Sequence, residues 1–260
     1  MQHTSELKDS VNKPFLDHLE DLRWTIIKIL IALVIAVVLT SIFSSQILNI
    51  LKRPLIKIES QYGMAKNSVA LIAIRPAEGI MNFMKVVFFS GIVLSLPFGL
   101  YFLLAFIMPA MTYNEKRVII PGLIAGLSLF IAGLFFCYFL TMPLTILMMW
   151  RINASFGLQN VWTLSYYLSF ITGFMLANGI IFELPLILFI LVKLNIISIA
   201  LLRKGRRHAI LIMFIIGAIL TPPDPFTIFL VALPMILLYE ICIWVSILTT
   251  RKRNEVENAL

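Results

Sequence analysis

Charged residues are scarce in this chain. Only 13% of its 260 residues are charged, 60% are hydrophobic, and the mean hydropathy is +0.98. A soluble domain is about half apolar and a quarter charged, so this composition excludes an ordinary soluble protein. It indicates a protein that crosses a membrane several times.

Cysteine and histidine are also rare. Cys137 and Cys242 lie in separate apolar runs without a CxxC or His-rich spacing, which gives no sign of a disulfide or a metal site. His3, His18 and His208 all lie outside the middle of such runs. A serine nucleophile needs a base beside it, and the HExxH pattern is absent. We therefore expect neither catalysis nor a cofactor.

Six apolar runs are candidates for membrane spans. They lie at about 24–44, 83–105, 119–141, 165–192, 208–221 and 227–248. A span needs about 20 apolar residues, so the fifth run is short for a full crossing. The residues that remain are too few for a separate soluble domain. The predicted fold is an all-α integral membrane protein, a bundle of six transmembrane helices forming one domain over residues 1–260.

The positions of Lys and Arg predict the orientation. Most of the 21 fall in the N-terminal segment, after the second and fourth runs, and in the C-terminal tail. These segments share one side of the membrane, and segments rich in Lys and Arg stay in the cytoplasm. Both termini are therefore predicted to be cytoplasmic. The net charge of +8 suits an anionic lipid bilayer, and no nucleic-acid recognition motif accompanies it.

Glu183 is the single charged residue in the apolar run from Ser165 to Val192. A charge at the middle of the bilayer costs about 3 kcal/mol on insertion scales. Its carboxyl group should therefore face protein or water, and it is a functional hypothesis by default. Pro185 permits a bend beside it, and Gly179 leaves room for another helix or a water to approach it. The alternative is that Glu183 serves only packing by satisfying a polar group of a neighbouring helix.

Four short motifs occur in order along the chain. HLEDLR (18–23) precedes the first run, LLAFIMPAMTYNEKR (103–117) follows the second, and FELP (182–185) lies in the fourth. LTPPDPF (220–226), continued by ALPMILLYE (232–240), joins the fifth run to the sixth. In this order they resemble the motifs of the TatC family, the multispan subunit of the twin-arginine protein translocase. The resemblance extends over essentially the whole chain.

The resemblance implies a receptor for folded cargo proteins whose signal peptides carry an arginine pair. It further implies single-span partners, TatA and TatB, export driven by the proton gradient, and a homo-oligomer in the receptor complex. The membrane would be a bacterial inner membrane, or the inner membrane of an organelle. Adjacent guanidinium groups are bound well by carboxylates that offer bidentate hydrogen bonds. The residues that match the family's signal-peptide site are Leu19, Asp21, Arg23, Phe106 and Glu115.

Residue type alone leaves other roles open at these positions. Asp21 and Glu115 would then be solvated acids paired with Arg23 or Arg117, and Phe106 an interfacial anchor. The chain also departs from the family pattern. Asp21 stands where Glu is usual, Thr25 where arginine is common, and Ile228 where the family has a glutamine.

The resemblance assigns the other matched residues to the bilayer and to turns. Glu183 and Thr221 are implied to contact partner helices inside the membrane, where Glu183 either accepts or donates a hydrogen bond. Pro54, Pro185 and Asp224 are expected in structural or turn roles. For Asp224 a partner contact stays open beside the turn role.

The main alternative function is a secondary transporter of a small solute or ion that uses Glu183 as a proton relay. Such a transporter predicts internal repeats and further polar residues along one path through the bundle. The sequence shows no convincing repeat. Glu240 would join Glu183 only if the fourth and sixth spans adjoin.

Overall fold

The computed structural model describes residues 15–61, 70–107, 119–158, 160–193, 196–221 and 224–257. This part of the chain is helical apart from two short strands and the connecting turns. In chain order the elements are α1 (Phe15–Ile42), α2 (Ser44–Gln61), β1 (Ala70–Ile72), α3 (Glu78–Ile107), α4 (Ile119–Phe136), α5 (Met142–Ser155), β2 (Val161–Thr163), α6 (Leu164–Lys193), α7 (Ile199–Lys204), α8 (Arg206–Leu220) and α9 (Pro225–Glu257). A π-helical turn, Cys137–Thr141, joins α4 to α5.

Five helical stretches of the described residues are long and apolar enough to cross a membrane. They are Leu19–Ile42, Glu78–Phe106, Ile120–Ser155, Leu164–Lys193 and Pro225–Thr249. The predicted fifth run falls in α8, which has 15 residues. At 1.5 Å per residue this helix is about 22 Å long, shorter than the ~30 Å hydrocarbon core. The structure thus confirms a helical membrane protein and gives five candidate spans.

Two local features differ from the sequence prediction. The third span continues to Ser155, well beyond its predicted end at 141, and the π-helical turn Cys137–Thr141 lies within it, directly before the turn that contains Pro143. In addition, β1 and β2 pair in parallel, with Leu71 opposite Trp162. Three-residue strands are too short to produce a recognisable alternating pattern, so no local pattern indicates them.

The chain divides into two compact units. The first consists of Met1–Ser44 and Val87–Leu127, and the second of Ser45–Val86 and Ser128–Leu260. In the first unit α1 packs against α3. The Thr40 hydroxyl donates to the carbonyl oxygen of Val87 at 3.1 Å.

A glycine sets the closest approach of α1 and α3. A Cβ atom added to Gly91 would lie 2.5 Å from Val37 Cγ2 and 3.1 Å from its Cα. Farther along, a Cβ on Gly99 would lie 3.9 Å from Ile29 Cγ2. Small residues allow two helix backbones to approach where lipid supplies no hydrophobic drive. The contacts run in opposite directions along the two helices, so α1 and α3 are antiparallel.

In the second unit, α8 and α9 form a close helical hairpin. A Cβ on Gly217 would lie 3.3 Å from the carbonyl oxygen of Ile228. At the other end of the hairpin, Arg206 Nη2 contacts Glu240 Oε2 at 2.9 Å. The two contacts hold the helices together along the length of α8.

Helix α2 is fixed within the second unit by two tyrosine hydroxyls. Tyr138 donates to the carbonyl oxygen of Ile50 at 2.9 Å, and Tyr167 donates to that of Leu51 at 3.0 Å. Pro54 is buried inside α2. Because proline has no N–H, the carbonyl four residues earlier loses its helical donor, and that carbonyl belongs to Ile50. The Tyr138 hydroxyl therefore replaces the donor that Pro54 removes.

Candidate functional site

Leu19, Asp21 and Arg23 lie near the start of α1. Leu19 is 46% exposed and Arg23 is exposed, whereas Asp21 is half-buried. Residues four apart share a helix face, while residues two apart do not. Leu19 and Arg23 thus share one exposed face of α1, and Asp21 lies on another. The structure does not place the three side chains on one surface of this helix.

Thr25, one turn after Asp21, is buried. Its hydroxyl donates to the backbone carbonyl oxygen of Asp21 at 2.8 Å. The hydrogen bond of the Thr25 hydroxyl is therefore made within α1. Thr25 adds no positive charge next to Asp21.

Phe106 is half-buried near the end of α3. It belongs to the first unit, as do Leu19, Asp21 and Arg23. Glu115 lies outside the described residues. The four described positions of the predicted signal-peptide site are thus brought into the same unit.

Glu183 is buried on α6, with 6% of its surface exposed. Neither of its carboxyl oxygens has a hydrogen-bond partner among the described residues. Leaving a buried polar group unsatisfied costs about 1–3 kcal/mol, and more if the group is charged. The helix therefore keeps a group that, without a partner, destabilises the isolated chain.

The segment before Glu183 is tightly packed. A Cβ on Gly179 would lie 2.5 Å from Phe130 Cε2, and one on Gly133 would lie 2.9 Å from the carbonyl oxygen of Asn178. The expectation that Gly179 lets another helix approach is confirmed, and that helix is α4. Within α6, Asn178 Nδ2 donates a hydrogen bond to the backbone carbonyl oxygen of Phe174 at 2.9 Å.

Pro185 connects α6 to α9. It is buried, and its carbonyl oxygen accepts a hydrogen bond from the Cys242 thiol at 3.2 Å. The fourth and sixth predicted spans therefore adjoin. Glu240 of α9, however, is engaged by Arg206. The acid required as a second relay residue in a transporter is thus already part of an ion pair with α8.

Thr221 and Asp224 lie at the reversal between α8 and α9. The Thr221 hydroxyl donates to Gly217 at 2.9 Å and is buried. Asp224 Oδ1 accepts from the Thr227 backbone N–H at 2.8 Å, and its other carboxyl oxygen accepts from the Thr227 hydroxyl. Asp224 is therefore the N-cap of α9, with Pro225 as the first helical residue.

Lys85 is a polar residue that the sequence reasoning did not assign to any site. Its Nζ donates to Ser165 Oγ at 2.7 Å and to the Ser165 carbonyl at 3.1 Å. One turn earlier, Asn82 is buried and its Oδ1 has no partner in the described part of the chain. The position of Lys85 at the start of an apolar run is the sequence signal that could have indicated a buried contact of this lysine. The contact joins the start of α3 to the start of α6.

No group of three or more His, Cys, Asp or Glu residues that could hold a metal occurs within the described ranges. Cys137 and Cys242 are both buried free thiols.

Long apolar helices and a buried carboxyl group within one of them define a polytopic helical membrane protein with a polar site at bilayer depth. A family model for the Sec-independent protein translocase protein TatC matches residues 17–234. The chain belongs to the TatC family. Membership gives it a role in protein transport in a membrane rather than in catalysis.

Individual relatives agree with this assignment. The TatC protein of Aquifex aeolicus is 34% identical over 247 residues, covering 95% of this chain and 100% of that protein. The TatC protein of Akkermansia muciniphila is 38% identical over 181 residues, covering 69% of this chain. That match spans about half of the Akkermansia protein, 52%. A crystal structure of the twin arginine translocase receptor TatC superposes with a TM-score of 0.77 at 33% identity, covering 88% of this chain and 99% of the other.

Proposed function

We propose that this chain is the receptor subunit of a twin-arginine translocase. It binds the signal peptides of folded cargo proteins and recruits the single-span subunits TatA and TatB for export driven by the proton gradient. The similar crystal structures are of a twin arginine translocase receptor, which supports the receptor role. The observation that carries the proposal is Glu183, a buried carboxyl group without a partner among the described residues.

The arginine pair of the signal peptide is proposed to bind the carboxylates of Asp21 and Glu115. Asp21 is half-buried, and partly buried pairs are screened less by salt than fully exposed ones. Bidentate hydrogen bonds from a guanidinium distinguish arginine from lysine. Leu19 and Arg23, on the exposed face of α1, and Phe106 near the end of α3 would contact the apolar part of the peptide or its backbone.

Glu183 is proposed to bind a polar side chain of a single-span partner helix within the bilayer. A hydrogen bond between membrane helices contributes about 1 kcal/mol, and here it also removes the cost of an unsatisfied buried group. Thr221 would add a weaker contact, since its hydroxyl already donates to Gly217. Pro54, Pro185 and Asp224 support the scaffold.

The proposed topology has six spans in one domain, with both termini in the cytoplasm. The sixth crossing requires α8, which is about 8 Å shorter than the hydrocarbon core and would need local thinning of the bilayer. Its hairpin with α9 buries Gly217 and Thr221, which protects the helix end from lipid. We place the protein in a bacterial inner membrane, as a homo-oligomer in the receptor complex.

Site-specific photocrosslinking tests the receptor proposal. A photoreactive residue is introduced at Leu19 or at Phe106, and a twin-arginine precursor is added to membrane vesicles that contain the full chain. We expect adducts at both positions, and their loss when the arginine pair is replaced by two lysines. The matched control is Tyr166, which is 78% exposed at the start of α6 and lies on the opposite side in the proposed topology. Adducts that form equally with the lysine precursor, or equally at Tyr166, would contradict the proposal.

A further inference from the structure

A groove lies along the first unit between α1 and α3. Its volume is about 330 Å³. The small side chains of Ala32 and Ala36 leave the space on α1, and Leu94 and Phe98 form the wall on α3. The groove is apolar along its length and has one charged lining residue, Lys28.

The groove is about half as long as the hydrocarbon core is thick. On α1 it runs from Lys28 to Leu39, which at 1.5 Å per residue is about 16 Å. The hydrocarbon core is about 30 Å thick, so one leaflet contributes about 15 Å. An acyl chain that enters from the Lys28 end would therefore occupy part of the length of this groove.

Lys28 lies at the end of the groove that is nearer the start of α1, inside the span Leu19–Ile42. Trp24, one turn earlier on α1, is 54% exposed, and tryptophan is enriched at the level of the lipid headgroups. Lys28 is itself exposed, and a lysine stem can extend along apolar surface while its ammonium reaches the polar layer. The ammonium group is thus within reach of a lipid phosphate.

We propose that this groove binds an anionic phospholipid, with one acyl chain between α1 and α3 and the headgroup phosphate bound by Lys28. A zwitterionic lipid carries its own cation next to the phosphate, which would compete with Lys28 and weaken the contact. The apolar segment of a twin-arginine signal peptide fits less well. Its arginine pair precedes that segment and would meet the positive charge of Lys28.

Brominated lipids test this proposal, because bromine on an acyl chain quenches a tryptophan that it touches. The reporter is F98W in the full chain, with Trp24, Trp150, Trp162 and Trp244 replaced by Phe. The protein is reconstituted with phosphatidylcholine and increasing brominated phosphatidylglycerol, or with brominated phosphatidylcholine. We expect phosphatidylglycerol to associate about fivefold more strongly, the factor that one lysine at a membrane surface provides.

Variants of Lys28 separate this site from general attraction of anionic lipid. K28Q should remove the preference and K28R should keep it. K204Q, which removes an exposed lysine of α7 in the second unit, should leave the preference unchanged. A32F fills the groove and should reduce quenching by both lipids. Equal quenching by both lipids in the parent, or equal losses in K28Q and K204Q, would overturn the proposal.

Other occupants give different results. Quenching relieved by a twin-arginine signal peptide at stoichiometric concentration would assign the groove to the peptide. Weak quenching by both lipids that rises when the protein is diluted in lipid would assign it to a second copy of the chain. Either result overturns the lipid site. Native mass spectrometry of the chain with its own tryptophans provides a second measurement, and we expect retained phosphatidylglycerol to fall at least twofold in K28Q but not in K204Q.

Discussion

Single residues of this protein show two opposite situations for a carboxyl group. Glu240 forms an ion pair with Arg206, at side-chain exposures of 33% and 42%. Glu183 is buried and has no partner among the described residues. The first group contributes little to stability because solvent screens it. The second destabilises the isolated chain, which supports the proposed role of Glu183 in assembly.

Replacing Glu183 by leucine should therefore stabilise the isolated chain and weaken its complex. E183L removes an unsatisfied buried group, which should raise the free energy of unfolding by about 1–3 kcal/mol. Unfolding by SDS in mixed micelles measures this change. Copurification of a single-span partner with the same variant should decrease.

Glu240 provides the matched control. E240Q should lower the free energy of unfolding by at most about 1 kcal/mol, because the ion pair is partly exposed. A loss of stability in E183L, or undiminished copurification of the partner, would contradict the assignment of Glu183 to an intramembrane contact.

In helices α2 and α3, one residue lacks a group that is normally present, and a residue of another element compensates for it. Pro54 removes the donor for the Ile50 carbonyl, and Tyr138 supplies a hydroxyl to it. Gly91 lacks a side chain, and Val37 occupies the space. Each pairing predicts that a change at one position alters the effect of a change at the other.

Y138F should lower the free energy of unfolding by about 1 kcal/mol, because it leaves the Ile50 carbonyl without a donor. In a P54A background the loss should be smaller, since an alanine at this position restores the helical N–H. A double-mutant cycle in SDS unfolding measures the difference. Y167F is the control, because its acceptor is the Leu51 carbonyl, so its effect should be the same with and without P54A. Equal losses for Y138F in both backgrounds would refute the pairing.

G91A should destabilise the packing of α1 on α3 by about 1–3 kcal/mol, because its methyl group would overlap Val37 Cγ2. V37A in the same chain should restore part of the loss, since the Cγ2 atom is then absent. G79A is in the same helix and has no atom within 4 Å of the added Cβ. It should change stability by less than about 1 kcal/mol. Equal effects of G91A and G79A would show that the two helices are not in close contact there.

The whole molecule is a helical membrane protein whose orientation can be tested with cysteines, because both native thiols are buried. In the proposed topology Ile74 lies outside and Ile196 in the cytoplasm, and both are well exposed. We expect an impermeant maleimide added to intact cells to label I74C but not I196C. Permeabilised cells should show labelling of both. The reverse pattern in intact cells would contradict cytoplasmic termini.

Much of this architecture could be predicted from the sequence, because bilayer thickness fixes how long an apolar run must be. The runs at 24–44, 83–105, 165–192 and 227–248 correspond to long helices. The burial of Glu183 could also be predicted from the sequence, because a lone charge in an apolar run avoids lipid. The family resemblance is confirmed by the match over residues 17–234.

The remaining features depend on contacts between distant residues. The pairing of β1 with β2, the use of the Tyr138 hydroxyl by Ile50 and the groove beside Lys28 each join segments far apart in the chain. Local patterns carry no information on such contacts. The site at Leu19, Asp21, Arg23 and Phe106 stays a prediction, and Glu115 lies outside the described residues.

The division into two units has a consequence for synthesis of the chain. The first unit uses no residue beyond Leu127, whereas the second joins Ser45–Val86 to Ser128–Leu260. A ribosome therefore releases all of the first unit before most of the second exists. The strand β1 cannot pair until β2, about 90 residues later in the chain, has been synthesised. Pairings between such distant segments are slow to form. The order of membrane insertion thus leaves the segment from Ser45 to Val86 without its partners until the C-terminal half has been made.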